Sequence, residues 1–339
     1  MASPVIFGSV LMRPHWFFAA ALLTMPLASG LGAQTRTVAL TIDDLPFVTG
    51  ENRPMLPVDA MGAEVANHKL LRSLARHHVP VTGFVIQKSV EDLGPRSGAE
   101  ILREWTKRGF DLGNHTYSHP NFNDLTIQQF EDQIVRGEAS IVPVMKAAGR
   151  TVEFFRFPAN HTGDTREKHD TVAAFLAQRG YRLAPCTIET SDWMFNAAYV
   201  QMLKSHDKAS ASRLRSDYLT FTAAQIDYFA GLNHQAIGYE PPQIMLIHDN
   251  RLNADVIEQL LALFEKRHYR WVTLGEAEKD SVYRIPETLV TKYGPMWGYR
   301  WARELNVKVD GSLEPDPSKW VTDYGKQTPA PPQRTRSEF

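Results

Sequence analysis

A chain of 339 residues with 43% hydrophobic side chains can bury a large core, which excludes a disordered segment or a disulfide-stapled miniature. Its formal net charge of −1, from 37 basic and 38 acidic side chains, leaves no excess of either sign to hold nucleic acid or a strongly acidic ligand. The single cysteine, Cys186, excludes an intramolecular disulfide and any cysteine-rich metal cluster, and reads as a small buried apolar residue.

Near the N-terminus, Arg13 and His15 precede an apolar run over 16–27, and small residues follow over 28–33. That is the order of a secretory signal cleaved near Ala33, so residues 1–33 are set apart from the fold. The mature chain is expected to be exported, periplasmic or extracellular. The uncharged stretch 16–35 is nearly long enough for an uncleaved anchor, but Pro26 and the small-residue end favour cleavage and no stable membrane span afterwards.

Residues 38–42 are a short β-prone run, read as the first strand, which ends at Asp43-Asp44-Leu45-Pro46. Residues 61–77 carry helical apolar spacing through Val65, Leu70, Leu71 and Leu74. Residues 81–86 are read as the second strand, 98–108 as a helix, and 110–114 as a third strand running into His115. A long amphipathic helix is predicted over 126–148, ended by Gly149 and kinked at Pro143. A fourth strand over 153–157 stops at Pro158. The helix over 164–179 takes Asp164 as its N-cap, with Gly180 just past its end. Residues 181–188 read as a fifth strand, 243–247 as a sixth leading into His248, 254–266 as a helix, and 269–274 as a seventh strand.

Strands alternating with helices imply parallel β-α units, hence an α/β chain closed as an irregular (β/α)7-8 barrel over 34–281. Residues 194–242 exceed the repeating pattern and read as an inserted helical segment. Residues 282–339 form a C-terminal extension rich in aromatics, whose proline-rich last residues, 328–339, are expected to be disordered. The aromatics could stack on sugar rings; packing of the extension onto the barrel is the favoured reading. In a parallel barrel the chemistry sits at the C-terminal ends of the strands. Asp43, Asp44, His115, His119, Arg156, Asp192 and His248 all fall there.

His115 and His119 are four residues apart, so on one helical turn they would share a face and could converge on one metal ion. Taken alone, the spacing is equally that of two surface histidines. Adjacent strand carboxylates point to opposite faces, so Asp43 and Asp44 serve one site only where the strand ends and the backbone turns. Beside the histidines, one could bind metal while the other stays free as a base; a plain turn is the alternative. Alternation places Arg156 and Pro158 on one side of their strand end, where a buried arginine needs a carboxylate, and Asp43 is the natural one. His248 can donate a proton if an aspartate orients and charges it, as Asp192 could. Trp193 and Leu246 could line a small apolar pocket; taken singly, Trp193 is more often core and His248 more often a satisfied structural histidine.

Together, Thr41-Ile42-Asp43-Asp44, the stretch from His115 to His119, Arg156-Phe157-Pro158, Asp192-Trp193 and Leu246-Ile247-His248 resemble the polysaccharide deacetylases. These are the family-four carbohydrate esterases with the NodB homology domain, and all five pieces occur in family order. The resemblance implies a NodB-type barrel with Asp44, His115 and His119 as a metal triad. It implies Asp43 as general base with Arg156 as its charge partner, and His248 as general acid tuned by Asp192. Trp193 and Leu246 look like walls of an acetyl-methyl pocket; Pro158 and Ala159 lie on the substrate side, with the Ala159 N–H helping to hold an oxyanion. The chain departs from the pattern at Ile42, usually aromatic, at Ala159-Asn160, usually Tyr-Gly, at Glu189, often Asp, and in its long fourth interval. These departures bear on the substrate more than on the metal.

The implied function is hydrolysis of acetyl groups on an N-acetylated or O-acetylated carbohydrate by metal-activated water. One divalent ion is expected, zinc first, with cobalt, nickel or manganese also suited to nitrogen and oxygen ligands. The rivals are an allantoinase-like hydrolase of another non-peptide C–N bond, which export disfavours, and a non-catalytic carbohydrate-binding relative. The latter would usually lack the base or a ligand. A glycosidase would need two carboxyl groups about 5–9.5 Å apart flanking the bond, which an adjacent pair beside histidines does not suit.

Overall fold

The computed structural model describes residues 1–2, 35–48 and 60–325. The expected signal, from residue 3 onward, and the tail 328–339 lie outside the described residues. Among the described residues, seven strands form one parallel sheet: β1 (Thr37–Val48), β2 (Val81–Val85), β3 (Asp111–Asn114), β4 (Phe154–Phe155), β5 (Arg182–Leu183), β6 (Gln243–Asn250) and β7 (Arg270–Trp271). The order is β5-β4-β3-β2-β1-β6, with β7 paired to the first residues of β1. The ring closes just past β5, where Ile188 bridges Met245 in parallel. There Thr187 N–H donates to the Ile244 carbonyl at 2.9 Å and Leu246 N–H to the Ile188 carbonyl at 2.9 Å. The fold is thus an irregular parallel (β/α) barrel, with three strands only two residues long.

Parallel pairing needs crossovers, and helices supply them. They are α1 (Ala60–Arg76), α2 (Gln87–Asp92), α3 (Pro95–Lys107), α4 (Ile127–Ala147) and α5 (Arg166–Gln178), then α6 (Asp192–Lys204) and α7 (Lys208–Ile237) between β5 and β6. After β6 come α8 (Arg251–Glu265), α9 (Leu274–Ala277), α10 (Trp297–Glu304) and α11 (Lys319–Gly325). The α4 start is legible residue by residue: the Thr126 hydroxyl accepts from Gln129 N–H while the Gln129 side chain reaches back to Thr126 N–H. Its buried face, Phe130, Ile134, Gly137, Ile141 and Met145, keeps the helical period.

Two expectations are corrected. Asp164 does not cap α5; Thr165 does, accepting from Lys168 N–H at 3.2 Å, while Asp164 pairs with Lys168 Nζ at 3.0 Å. The fifth strand is not continuous over 181–188. It breaks where Pro185 has no N–H to offer a neighbour, and the Ala184 and Pro185 carbonyls turn instead to the Arg156 guanidinium.

Alternation along β1 and β6 divides the molecule. Val38, Leu40 and Ile42 face outward and pack with Leu70, Leu71, Leu74, Leu260 and Leu261 of α1 and α8. The opposite set faces the barrel interior: Ala39 and Ile244 cluster there with Phe84, Phe154 and Leu274. One pleat further up each strand, the interior set becomes Thr41 and Asp43, in register with Leu246 and His248. The lower barrel is therefore apolar and the upper barrel polar.

The inserted helices and the C-terminal segment pack on each other. Trp297, Tyr299 and Trp301 of α10 are buried. Tyr299 Oη donates to Glu314 Oε2 at 2.9 Å and lies 2.7 Å from Tyr228 Oη of α7, and Trp320 Nε1 donates to Asp217 Oδ2 at 2.9 Å. Tyr324 is exposed. No helix among the described residues is long and apolar enough to cross a membrane.

Candidate active site

Asp43 and Asp44 reach one site through a distortion inside β1, where the sequence pointed to the strand's end. The β1–β2 register shifts between Ile42 and Leu45, Asp44 takes a left-handed backbone with φ 64°, and the strand continues to Val48. A bulge of this kind re-aims a side chain, so neighbouring carboxylates need not diverge.

His115 and His119 also converge, but not on a helical turn. They belong to an irregular loop after β3, with left-handed backbone at Thr116 (φ 72°) and His119 (φ 53°). The loop is tied by Thr116 N–H to Asn114 Oδ1 at 2.8 Å, His119 N–H to Thr116 Oγ1 at 3.1 Å, and Ser118 N–H to Gln133 Oε1 at 2.9 Å. Helix α4 can come this close because Gly137 has no side chain; a Cβ there would meet Asn114 Oδ1 at 2.4 Å.

Asp44 Oδ1 is buried with no hydrogen-bond partner among the described residues, 3.4 Å from His115 Nε2 and 3.5 Å from His119 Nε2. Two ligand atoms each about 2.0–2.1 Å from a tetrahedral ion lie roughly 3.4 Å apart, so Asp44 Oδ1 stands at a co-ligand's distance from each histidine. His115 is buried, and its Nδ1 donates to the Arg156 carbonyl at 2.8 Å, which leaves Nε2 as the lone-pair nitrogen facing Asp44. Burial lowers the pKa of His119 and favours its neutral, ligating form. Burial also pushes the Asp44 carboxyl up, but its interactions with His119 and then His115 outweigh it and hold the group below the usual carboxylate range. Asp44, His115 and His119 form the metal-capable cluster among the described residues.

Beside it lies a buried ion pair. Arg156, fully buried, donates from Nη1 to Asp43 Oδ1 at 2.8 Å and to Thr41 Oγ1 at 2.7 Å, and from Nη2 to the Pro185 carbonyl at 3.0 Å. The guanidinium also sits 4.3 Å above the Phe84 ring. Asp43 keeps Oδ2 free of Arg156, 3.8 Å from His115 Nε2.

On β6, where His248 is in register with Asp43 of the adjacent β1, His248 Nδ1 lies 2.7 Å from Asp192 Oδ1. Asp192 Oδ2 accepts from His248 N–H at 2.8 Å, from Asn250 Nδ2 at 2.9 Å and from Asn253 Nδ2. Tyr218 of α7 donates to Asn253 Oδ1 at 2.9 Å, so the inserted helices help hold this carboxylate. Burial alone would lower the His248 pKa; the charge and hydrogen bond of Asp192, with smaller help from Asp44 and Asp43, raise it to about 10. Asp192→Asn should return it toward the ordinary value of about 6.5. Imidazole NMR titration checks this, and a variant still charged at about pH 8.5 would contradict it.

Leu246 is buried two residues before His248 on the same strand face, and Trp193 is half-buried on the first turn of α6. Pro158 is buried; Ala159 is exposed and left-handed, with φ 51° and ψ 22°. Asn250, Asn253 and Arg300 went unnoticed in the sequence, and Thr41 stood in its motif without a role. For the two asparagines a signal was there to use: they follow His248 at the strand-to-helix junction, and Asn250 caps α8.

Residues 31–183 match the family described as Polysaccharide deacetylase. The peptidoglycan-N-acetylglucosamine deacetylase of Bacillus cereus is 26% identical over 125 residues, which cover 37% of this chain and 40% of that protein. The chitooligosaccharide deacetylase of Sinorhizobium fredii is 27% identical over 172 residues, or 51% of this chain and 65% of that one. The chain therefore spans less than two thirds of either relative. Among solved structures, a CE4 family pseudoenzyme from Bacillus anthracis shares 17% identity at a TM-score of 0.47, covering 72% of this chain and 66% of that chain. The family match over 31–183 falls on the half of the barrel that carries Asp43, Asp44, His115, His119 and Arg156, and over that stretch the chain is similar to the polysaccharide deacetylases.

Proposed function

We propose that this chain is an exported, metal-dependent hydrolase that removes acetyl groups from an N-acetylated carbohydrate, acting on a non-peptide C–N bond. On this reading residues 1–33 are a signal, 34–281 the catalytic barrel and 282–339 an extension that packs against it. One observation carries the reading: a metal-capable Asp44–His115–His119 cluster shares one end of the barrel with a buried Arg156–Asp43 pair and an Asp192–His248 pair. The two deacetylase relatives support N-acetylglucosamine oligomers as the first substrate class to try.

Asp44, His115 and His119 hold the ion, zinc first. When bound there, a divalent ion would supply Lewis acidity to the acyl oxygen and to a water, whose pKa would fall toward about 7. Asp43 takes a proton through Oδ2, because Arg156 occupies Oδ1 at 2.8 Å. His248 gives its proton from Nε2 to the leaving amine, because Asp192 holds Nδ1. The Ala159 N–H donates to the oxyanion. Leu246 and Trp193 border the acetyl methyl.

The test is acetate release from N-acetylglucosamine oligomers before and after chelation and zinc repletion. Release should be abolished by the chelator and restored by zinc. No release with one ion bound per chain would discard this substrate, and acetylated xylan, peptidoglycan and cyclic amides would then be tried in turn.

A further inference from the structure

Ala159 and Asn160 are consecutive non-glycine residues in left-handed backbone, with φ 51° and 56°. Each such residue costs on the order of 1–3 kcal/mol and persists only where its surroundings over-determine it. The surroundings that do so come from the C-terminal segment. Arg300 of α10 is buried and donates from Nη2 to the Asn160 carbonyl at 2.7 Å and from Nη1 to Thr162 Oγ1 at 3.0 Å. Its Nε donates to the Pro295 carbonyl at 3.0 Å and its Nη1 to Glu287 Oε1 at 2.8 Å, and the guanidinium lies 4.5 Å from the Trp297 ring centroid. Glu287 is itself held, with Oε2 2.7 Å from Nε2 of His169 on α5.

The same segment presses on Ala159. A Cβ on Gly294 would lie 1.7 Å from the Ala159 carbonyl oxygen, so only a glycine lets the segment pass there. It also reaches the loop after His119, where the Lys292 carbonyl accepts from Asn123 Nδ2 at 2.8 Å. The segment thus runs along the rim of the barrel mouth, tied to the loops that follow β3 and β4.

We propose that Arg300 is a positioning residue for the acyl-oxygen-binding loop: it holds Ala159 and Asn160 left-handed so that the Ala159 N–H meets the developing oxyanion. Gly294 supplies the clearance on the other side. This rests on the deacetylase reading above. The partners of Arg300, Pro295, Thr162, Glu287 and Asn160, lie outside the cluster of Asp44, His115 and His119.

The experiment compares Arg300→Ala and Gly294→Ala with the wild type for kcat, KM and bound zinc, and solves the structure of Arg300→Ala. Arg300→Ala should lose on the order of 10²-fold in kcat, the scale of a misplaced reacting group, with KM and zinc content near wild type. Methylguanidinium should restore much of the rate by refilling the vacated site. Ala159 and Asn160 should leave the left-handed region in that structure. Gly294→Ala should lower kcat in the same manner by pushing on the same loop.

A folded Arg300→Ala with wild-type kcat, or one that keeps both residues left-handed, overturns the proposal. Should Arg300→Ala fail to fold, Gly294→Ala decides: full kcat there overturns it. A wild type with no turnover fails the deacetylase reading instead, and the backbone of Arg300→Ala still decides the role of Arg300.

Discussion

Asp43→Asn is expected to keep the metal and lose about 10²–10⁴-fold in kcat, the range supplied by a positioned proton acceptor. The substitution is nearly isosteric. Its amide oxygen can still accept from Arg156 Nη1, where Asp43 Oδ1 now does at 2.8 Å. It loses the basic oxygen that faces the cluster. Arg156 would then be a buried guanidinium without a counter-charge, and breaking a buried pair outright costs about 3–5 kcal/mol. The retained bonds to Thr41 Oγ1 and to the Pro185 carbonyl soften that loss. The variant should therefore fold with a lower Tm. Acetate release, zinc content and thermal melting on one preparation separate these effects, and a kcat within about threefold of wild type would remove Asp43 from the base role.

His119→Ala is the complementary case, with metal lost and fold kept. His119 is half-buried on an irregular loop, whereas His115 is buried and bonded to the Arg156 backbone, so truncating His115 would disturb two motifs at once. Removing one of three protein ligands should weaken metal binding by more than the roughly 10–100-fold that loss of an outer hydrogen-bond partner costs. Zinc content after dialysis and a competition titration measure this. Zinc near one ion per chain in His119→Ala would sink the ligand assignment, whatever the activity. The two variants together distinguish a carboxylate that works beside the ion from a histidine that holds it.

Much of the architecture was legible because local rules and the global fold agree. Apolar runs alternating with helical periodicity marked the strands of a parallel barrel. The Thr126–Gln129 capping box marks the start of α4. The polar residues at strand ends were those the barrel brings to its mouth. Where reading from the sequence failed, a long-range partner had overridden the local preference. The spacing of His115 and His119 suits a helical turn, yet the segment is a loop because Asn114, Gln133 and the side-chain-free face at Gly137 bind its backbone.

Which chemical groups are available, and at which strand ends they stand, follows from the chain alone, since alternation and strand boundaries depend on nearest neighbours. How those groups meet follows from long-range packing. The bulge aims Asp43 and Asp44 together, Arg156 is shared among Asp43, Thr41 and two carbonyls past β5, and Asn250 and Asn253 hold Asp192. Arg300, 140 residues along the chain from Asn160, secures the loop beside them. Each of these contacts joins segments far apart in the chain, and the burial that makes an unpaired polar group costly exists only once the barrel has closed.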